Sequence, residues 1–164
     1  MTLFIITLLL FPSVFAQYCL DDSGIGFNAN TTNGVVLLTT QLVANDIQAQ
    51  ARFGKAGSIS GNREIICAYQ WDSALTNTGK CYAFNRSSAG VWGQVQAFTG
   101  PNPGANDWFG YAVAVDGVYA VIGAPQDTVS SRQYAGSAVM YWWNGTAWAN
   151  EIRITHPNPD WLDL

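Results

Sequence analysis

The hydrophobic pattern of residues 107–125, DWFGYAVAVDGVYAVIGAP, predicts two short strands joined by a tight turn. In the first half, apolar side chains alternate with small alanines, which is the period-two pattern of a β-strand. Asp116-Gly117 follows, and a two-residue hairpin turn favours this pair because its backbone needs positive φ angles. The second half, VYAVIGAP, is apolar throughout, which predicts a strand that is covered on both faces.

This hairpin belongs to a repeat of about 56 residues. The dipeptide FG at 53–54 recurs at 109–110, and at this shift FGKAGSISGNREIICAYQ aligns with FGYAVAVDGVYAVIGAPQ without a gap. Trp148 follows Trp92 at the same interval, and we expect both in the core. A fixed period of this length is typical of propeller blades and other repeat architectures.

Each copy carries four strand patterns. After the hairpin, a polar loop leads to the apolar run SAVMYWW, and Asn144-Gly145 signals a turn into a last strand, TAWANEIRI. Glu151 and Arg153 lie among the apolar residues of that strand, as expected of an outer strand that faces solvent. The predicted fold class is therefore all-β, a partial β-propeller with four-stranded antiparallel blades of about 56 residues. The alternative is a β-sandwich, which gives no reason for glycines matched at a fixed period.

These motifs resemble the FG-GAP repeat of the integrin α-subunit headpiece and of many secreted repeat proteins. The second copy has FG at 109–110 and GAP at 123–125, whereas the first copy keeps FG at 53–54 but has Cys-Ala-Tyr at 67–69. The resemblance covers roughly residues 42–160. It implies a seven-bladed β-propeller whose usual role is adhesion or protein binding.

The repeat divides the chain into five segments. They are a signal peptide at 1–16, an N-terminal segment with a lone closing strand at 17–43, a degraded blade at 44–98, an intact blade at 99–155 and the start of a further blade at 156–164. The lone strand is expected in GVVLLTTQLV at 34–43. Two blades leave unpaired strand edges, so we expect a fragment of a larger protein, whose remaining blades or self-association close the ring.

Several features predict a secreted or cell-surface glycoprotein. Residues 1–16 combine an apolar run with small residues, as in a signal peptide, although a buried N-terminal strand is the alternative. Glycosylation sequons begin at Asn30, Asn85 and Asn144, in turns that we expect to be equivalent from blade to blade. The net charge of −4, with 11% charged residues, provides no basic cluster for nucleic acid, and no second hydrophobic span follows.

Two of the three cysteines are predicted to form a disulfide. Cys67 ends the second strand of its blade and Cys81 begins the third, while the other copy has Gly123 and Ala138 at the matched positions. Both cysteines are thus absent together, as expected of a bonded pair, although two free buried thiols are the alternative. Cys19 has no partner in this arrangement.

Neither copy shows a catalytic or metal-binding pattern. The calcium loop of some FG-GAP members lies between the first two strands, but here that link is a two-residue turn at 60–61 or 116–117. Such a turn does not supply six oxygen ligands, so we expect no calcium site and no cofactor. The single histidine, His156, lies in a His-Pro linker, and no GxSxG or HExxH motif occurs. The carboxylate pair at 21–22 is interpreted as part of a solvated tail.

If the glycans crowd one face of the propeller, a partner binds the opposite face. That face collects loops 69–79 and 126–135 and the connections at 44–52 and 99–108. Its candidate ligand contacts are Trp71, Asp72, Trp108, Asp127, Arg132 and Tyr134. The structural alternatives are that Trp108 packs between blades and that the two aspartates cap loop turns.

The first functional hypothesis is a non-catalytic propeller module for protein recognition or cell adhesion. The alternatives are the accessory propeller of a secreted hydrolase and a glycan-binding propeller whose loop aromatics stack on sugars. The ligand is therefore expected to be a protein or a glycan, and fold alone does not name it.

Overall fold

Ten antiparallel strands form three sheets in this computed structural model, which describes residues 26–32 and 35–157, with side chains from residue 41 onward except that of residue 150. The strands are β1 (Gly26–Thr32), β2 (Val35–Leu42), β3 (Phe53–Ser60), β4 (Arg63–Ala68), β5 (Lys80–Arg86), β6 (Trp92–Phe98), β7 (Ala112–Asp116), β8 (Tyr119–Ala124), β9 (Ser137–Trp143) and β10 (Trp148–Thr155). Among the described residues there is no helix that is long and apolar enough to cross a membrane.

The two four-stranded sheets are the predicted blades. Blade 1 has the order β3-β4-β5-β6 and blade 2 has the order β7-β8-β9-β10, so each is a meander of sequential strands. The predicted all-β class with four-stranded antiparallel blades is confirmed, and the blades do not close into a ring within the described part of the chain. Unlike β3, which begins at its FG, β7 begins only at Ala112, because residues 109–110 form a turn.

Blade 2 packs flat against one side of blade 1. We call the side of a blade that faces the following blade its forward face, and the opposite side its rear face. The main core cluster joins the forward face of blade 1 (Ile65, Cys67, Cys81, Ala83) to the rear face of blade 2 (Ile122, Ala124, Val139, Tyr141, Trp148). The four forward-face side chains of blade 1 are fully buried, so the contact is as dry as a domain core.

Polar contacts hold the same interface at both of its edges. Between the inner strands, the Gly117 N–H donates to Ser60 Oγ at 3.0 Å. At the outer edge, the Gln96 side chain accepts from the Trp148 N–H at 2.8 Å and donates to the Trp148 C=O at 2.9 Å. These hydrogen bonds fix the position of blade 2 relative to blade 1 along the interface. Apolar packing alone does not specify that position.

The unusual backbone conformations before each FG recur with the period of the repeat. Gln50 and Asn106 have φ angles of 65° and 62°, and Arg52 and Trp108 have φ angles of 60° and 57°. Positive φ is uncommon for such side chains. Since both blades adopt it at matched positions, it belongs to the way a connection enters a blade and does not by itself mark a ligand site.

Two expectations about burial are wrong. We expect β8 to be buried on both faces. Tyr119 and Val121 on its forward face are instead exposed, since no described segment packs there. Arg153 was expected to face solvent on β10. A register shift between Ala149 and Ile152 instead turns Arg153 toward the rear face and turns Ile152 outward, because one extra residue reverses the alternation of a strand.

The N-terminal strand is not alone. β2 pairs with β1 in a hairpin, whereas the sequence predicts a lone strand at 34–43. β2 lies beside β6, and Leu42 is buried with Ala44 and Ala51 against the rear face of blade 1. The predicted signal peptide at 1–16, Cys19 and most of 156–164 lie outside the described residues.

Candidate functional site

The loop end of the two blades is tied together by backbone hydrogen bonds. Three N–H groups of residues 106–109 donate to the carbonyl groups of residues 76–78 at 2.8–3.2 Å. The loop after β4 therefore receives the connection that leads into blade 2. Because both segments are anchored, their side chains form a surface of defined shape at this end of the blades.

Three aromatic rings form a cluster on that surface. Trp108 stacks on Tyr111 with ring centroids 5.8 Å apart, and Tyr69 meets both rings edge-on at 5.5 and 5.2 Å. Trp108 is half-buried and Tyr111 is exposed. Trp108 thus packs between the blades, as the structural alternative holds, while the cluster still offers an aromatic face to solvent.

Tyr69 and Tyr111 belong to this cluster but are not among the ligand contacts predicted from the sequence. Tyr69 occupies the position that proline takes in the GAP of the second copy, and Tyr111 directly follows FG. The departure from the repeat pattern at Tyr69 was the available signal, because it brings an aromatic ring beside the next blade.

The first two predicted contacts, Trp71 and Asp72, have structural partners. The Lys80 ammonium lies 4.2 Å from the centre of the Trp71 ring and 2.5 Å from a carboxylate oxygen of Asp46. Asp72 Oδ1 accepts a 2.7 Å bond from the Asn77 N–H. Asp72 is exposed, but its carboxylate caps a loop turn, which is the structural alternative for this residue.

Asp127 is buried in an ion pair instead of lying on the loop surface. The Arg153 guanidinium contacts its two oxygens at 2.6–3.1 Å, and the Ser137 hydroxyl donates to it. Arg132 and Tyr134 lie in the same loop and are exposed, Tyr134 by 66%. The structure therefore brings Trp108 together with Tyr69 and Tyr111, and leaves Tyr134 as a separate aromatic on the next loop.

The predicted cysteine pair is a disulfide in the structure. Cys67 and Cys81 face each other across β4 and β5 on the forward face of blade 1. Gly110 of blade 2 lies directly over the bond, at a distance where an added Cβ would meet Cys81 Sγ at 2.8 Å. The FG of one blade thus seats on the second and third strands of the blade before it.

Comparison with known families matches this geometry. Residues 92–141 match the FG-GAP repeat family. The chain carries an FG-GAP repeat. The matched span runs from β6 of blade 1 through the first three strands of blade 2, so the family's repeat frame crosses the interface between the blades. A search of curated proteins finds no match to the chain.

The sequons do not occupy equivalent turns of the FG-GAP blades. Asn144 lies in the turn before β10 and is exposed, but Asn85 lies within β5 and is half-buried, and Asn30 lies within β1. The expectation of three equivalent turns is therefore wrong. The reason is that β5 continues through Asn85 to Arg86, so the turn of blade 1 begins only after the asparagine.

A second acidic residue lies near the ion pair of the FG-GAP blade. Asp107 is buried and accepts a bond from the Gly104 N–H at 2.5 Å. Burial raises the pKa of Asp107 above its usual value, and the neighbouring Asp127 carboxylate raises it further. The cavity beside the two carboxylates measures about 10 Å³, which holds nothing larger than a water molecule. The described residues contain no group of three or more His, Cys, Asp or Glu side chains placed to hold a metal.

The raised pKa of Asp107 predicts a pH dependence of stability. A carboxyl whose pKa is higher in the folded chain binds protons more tightly there, so the free energy of unfolding rises as pH falls toward that pKa. The free energy of unfolding of the protein minus that of Asp107→Asn is therefore expected to increase as the pH is lowered from about 7 to about 4. Urea titrations at each pH measure it. Asp116→Asn, at the exposed end of β7, is the control, and a difference that shrinks toward low pH contradicts the assignment.

Proposed function

We propose that the chain is a non-catalytic, secreted or cell-surface FG-GAP module that recognises a protein partner through its loop end. The observation that carries the proposal is the aromatic cluster of Tyr69, Trp108 and Tyr111 on anchored backbone. Aromatic side chains on rigid segments bind at low entropic cost and dominate the energetics of many interfaces.

Two further features support the location and the class of ligand. The buried Cys67–Cys81 disulfide is typical of an oxidising, extracellular compartment. FG-GAP repeats are often found in adhesion proteins, and exposed aromatic rings on anchored loops are typical of protein interfaces.

Cell adhesion to the immobilised full chain tests this proposal. Tyr111→Ala and Tyr134→Ala truncate exposed side chains at the loop end, so we expect each to fold and to weaken adhesion, with about a tenfold loss of affinity for a Tyr111-centred contact. Val91→Ala is the matched control, because Val91 lies at the opposite end of blade 1 and is more exposed than Tyr111 and about as exposed as Tyr134. Equal loss in all three variants, or none in Tyr111→Ala, contradicts the proposal.

A glycan array distinguishes the second candidate function, glycan binding, from recognition of a protein. Tyrosine and tryptophan faces also stack on sugars, so a glycan that binds the chain and is lost in Tyr111→Ala favours the glycan-binding propeller. A hydrolase accessory role predicts neither adhesion nor glycan binding that depends on Tyr111.

A further inference from the structure

The turn between β9 and β10 holds the carboxamide of Asn144 by its oxygen and leaves its nitrogen free. Asn144 Oδ1 accepts the Thr146 N–H at 3.0 Å, the Thr146 hydroxyl at 2.9 Å and the Ala147 N–H at 3.0 Å. No described residue accepts a hydrogen bond from Asn144 Nδ2, and residues 144–146 are exposed. An N-linked sugar is attached at this nitrogen. The folded turn therefore accommodates a sugar without losing a hydrogen bond.

An exposed indole ring lies beside that nitrogen. Trp142 precedes Asn144 by two residues and is 49% exposed, and side chains two apart on a strand project from the same side. Its cross-strand neighbour on β10 is Ala149, a small residue that leaves the adjoining surface of the indole open. The turn thus places an uncovered aromatic face within reach of a sugar ring on Asn144.

The base of the turn is rigid. Trp143 and Trp148 are buried on the rear face with ring centroids 5.7 Å apart, and the Trp143 N–H donates to the Val118 C=O at 2.8 Å. The Arg63 guanidinium of blade 1 lies 5.3 Å from the centre of the Trp143 ring. Because these contacts already fix the backbone, a sugar that binds there orders little more of the chain.

The chemistry of the pair is complementary. One face of an N-acetylglucosamine ring presents C–H groups, which carry partial positive charge, and the face of an indole carries partial negative charge. Contact between them also removes apolar surface of both rings from water. The Thr146 hydroxyl holds the carboxamide oxygen, so the attached ring has few orientations to lose.

The sequon of blade 1 has none of these features. Asn85 lies within β5, on the forward face that blade 2 packs against, and its Oδ1 is buried. Ala83 takes the place of the aromatic residue two positions earlier and is fully buried. A sugar on Asn85 would enter the contact between the blades, so the two sequons are expected to behave differently.

We propose that the turn at Asn144 is an acceptor for an N-linked glycan and that Trp142 binds its first N-acetylglucosamine, which stabilises blade 2. In the transfer step, Asn144 Nδ2 forms a bond to C1 of the sugar and loses a proton. The bond from C1 to the diphosphate of a lipid-linked oligosaccharide breaks, and the lipid diphosphate leaves. The inference rests on the secreted location in the proposed function, because this transfer occurs in the secretory pathway. It is independent of ligand binding at the loop end.

Unfolding of the full chain with and without the sugar tests the contact. The chain is expressed in cells that make high-mannose glycans, once with its own N-terminus and once with residues 1–16 replaced by the leader of a secreted protein. An endoglycosidase trims each glycan to one N-acetylglucosamine, and tunicamycin yields the same sequence without sugar. We expect the sugar to raise the ratio of folded to unfolded chain about fivefold. Sugars at other asparagines cancel when this effect is compared between variants.

Three variants separate the contact from a general effect of the sugar. In Trp142→Ala the gain is expected to disappear, and Trp142→Phe, which retains an aromatic face, is expected to keep part of it. Tyr134→Ala is the control, since Tyr134 is an exposed aromatic at the opposite end of blade 2, and it should keep the full gain. A gain of equal size in Trp142→Ala overturns the proposal.

Peptide mapping reports which asparagine is modified. A glycosidase that releases the whole glycan in heavy-oxygen water labels each formerly glycosylated asparagine, and we expect label at Asn144 and none at Asn85. An unlabelled Asn144 in the chain with the added leader also overturns the proposal. If only the chain with its own N-terminus is unsecreted and unlabelled, the secreted location fails, whereas a gain that depends on Trp142 in the other chain still supports the sugar contact.

Discussion

Gly110→Ala is expected to lower the free energy of unfolding by about 4 kcal/mol. Gly110 has a φ of 89°, where a side chain is strained, and an added Cβ would lie 2.6 Å from Cys67 Cβ and 2.8 Å from Cys81 Sγ. The two cysteines are bonded to each other and buried between strands, so neither moves aside cheaply. The strain and the clash therefore act together at the centre of the blade interface.

Gly117→Ala is the matched control for that experiment. Gly117 also has a positive φ, of 55°, but an added Cβ would meet no atom within 4 Å. It carries the conformational cost of about 1 kcal/mol without the clash. Urea unfolding of both variants measures the difference, and equal destabilisation would show that blade 2 does not press on the disulfide.

Asp127→Ala is expected to lower the free energy of unfolding by about 3 kcal/mol, because it leaves the Arg153 guanidinium without its counter-charge in a half-buried site. The Asp127 side chain is 9% exposed and that of Arg153 is 27% exposed. The Ser137 hydroxyl loses its acceptor as well. Chemical denaturation monitored by tryptophan fluorescence measures the loss.

A double-mutant cycle separates the pair from its surroundings. Asp127→Ala combined with Arg153→Met removes both charges, and we expect it to recover at least half of the loss, since no unpaired charge remains. Asp72→Ala removes an exposed aspartate from the corresponding loop of blade 1 and should cost about 1 kcal/mol. Losses that simply add in the double variant would mean that the two charges do not interact.

The repeat made much of the fold predictable. Matched FG dipeptides and apolar runs of strand length are local signals, and local signals set the number and order of strands in each blade. The hairpin predicted at Asp116-Gly117 is present, but its two-residue turn lies one position later, at 117–118, because Asp116 still pairs with Tyr119. The disulfide was predictable for a related reason, because comparing one copy with the other showed that both cysteines are lost together.

What the sequence did not reveal depends on register and on distant partners. Arg153 points inward because of one bulge, and its partner Asp127 lies 26 residues away across the sheet. Similarly, the apolar composition of β8 predicts a strand that is buried on both faces. It does not reveal that Val121, on the forward face, is exposed. In the candidate site, Tyr69 was overlooked because it stands at a position where the family pattern has a small, rigid residue.

The burial of the disulfide between the two blades controls when it can be reduced or formed. Cys67 and Cys81 have no solvent exposure, and the backbone of Gly110 lies over them. Thiol–disulfide exchange needs a thiolate to reach a sulfur atom in line with the bond, and no approach exists while blade 2 is seated. A reducing agent therefore cleaves this bond only at the moments when the two blades separate, and the bond must form before they close.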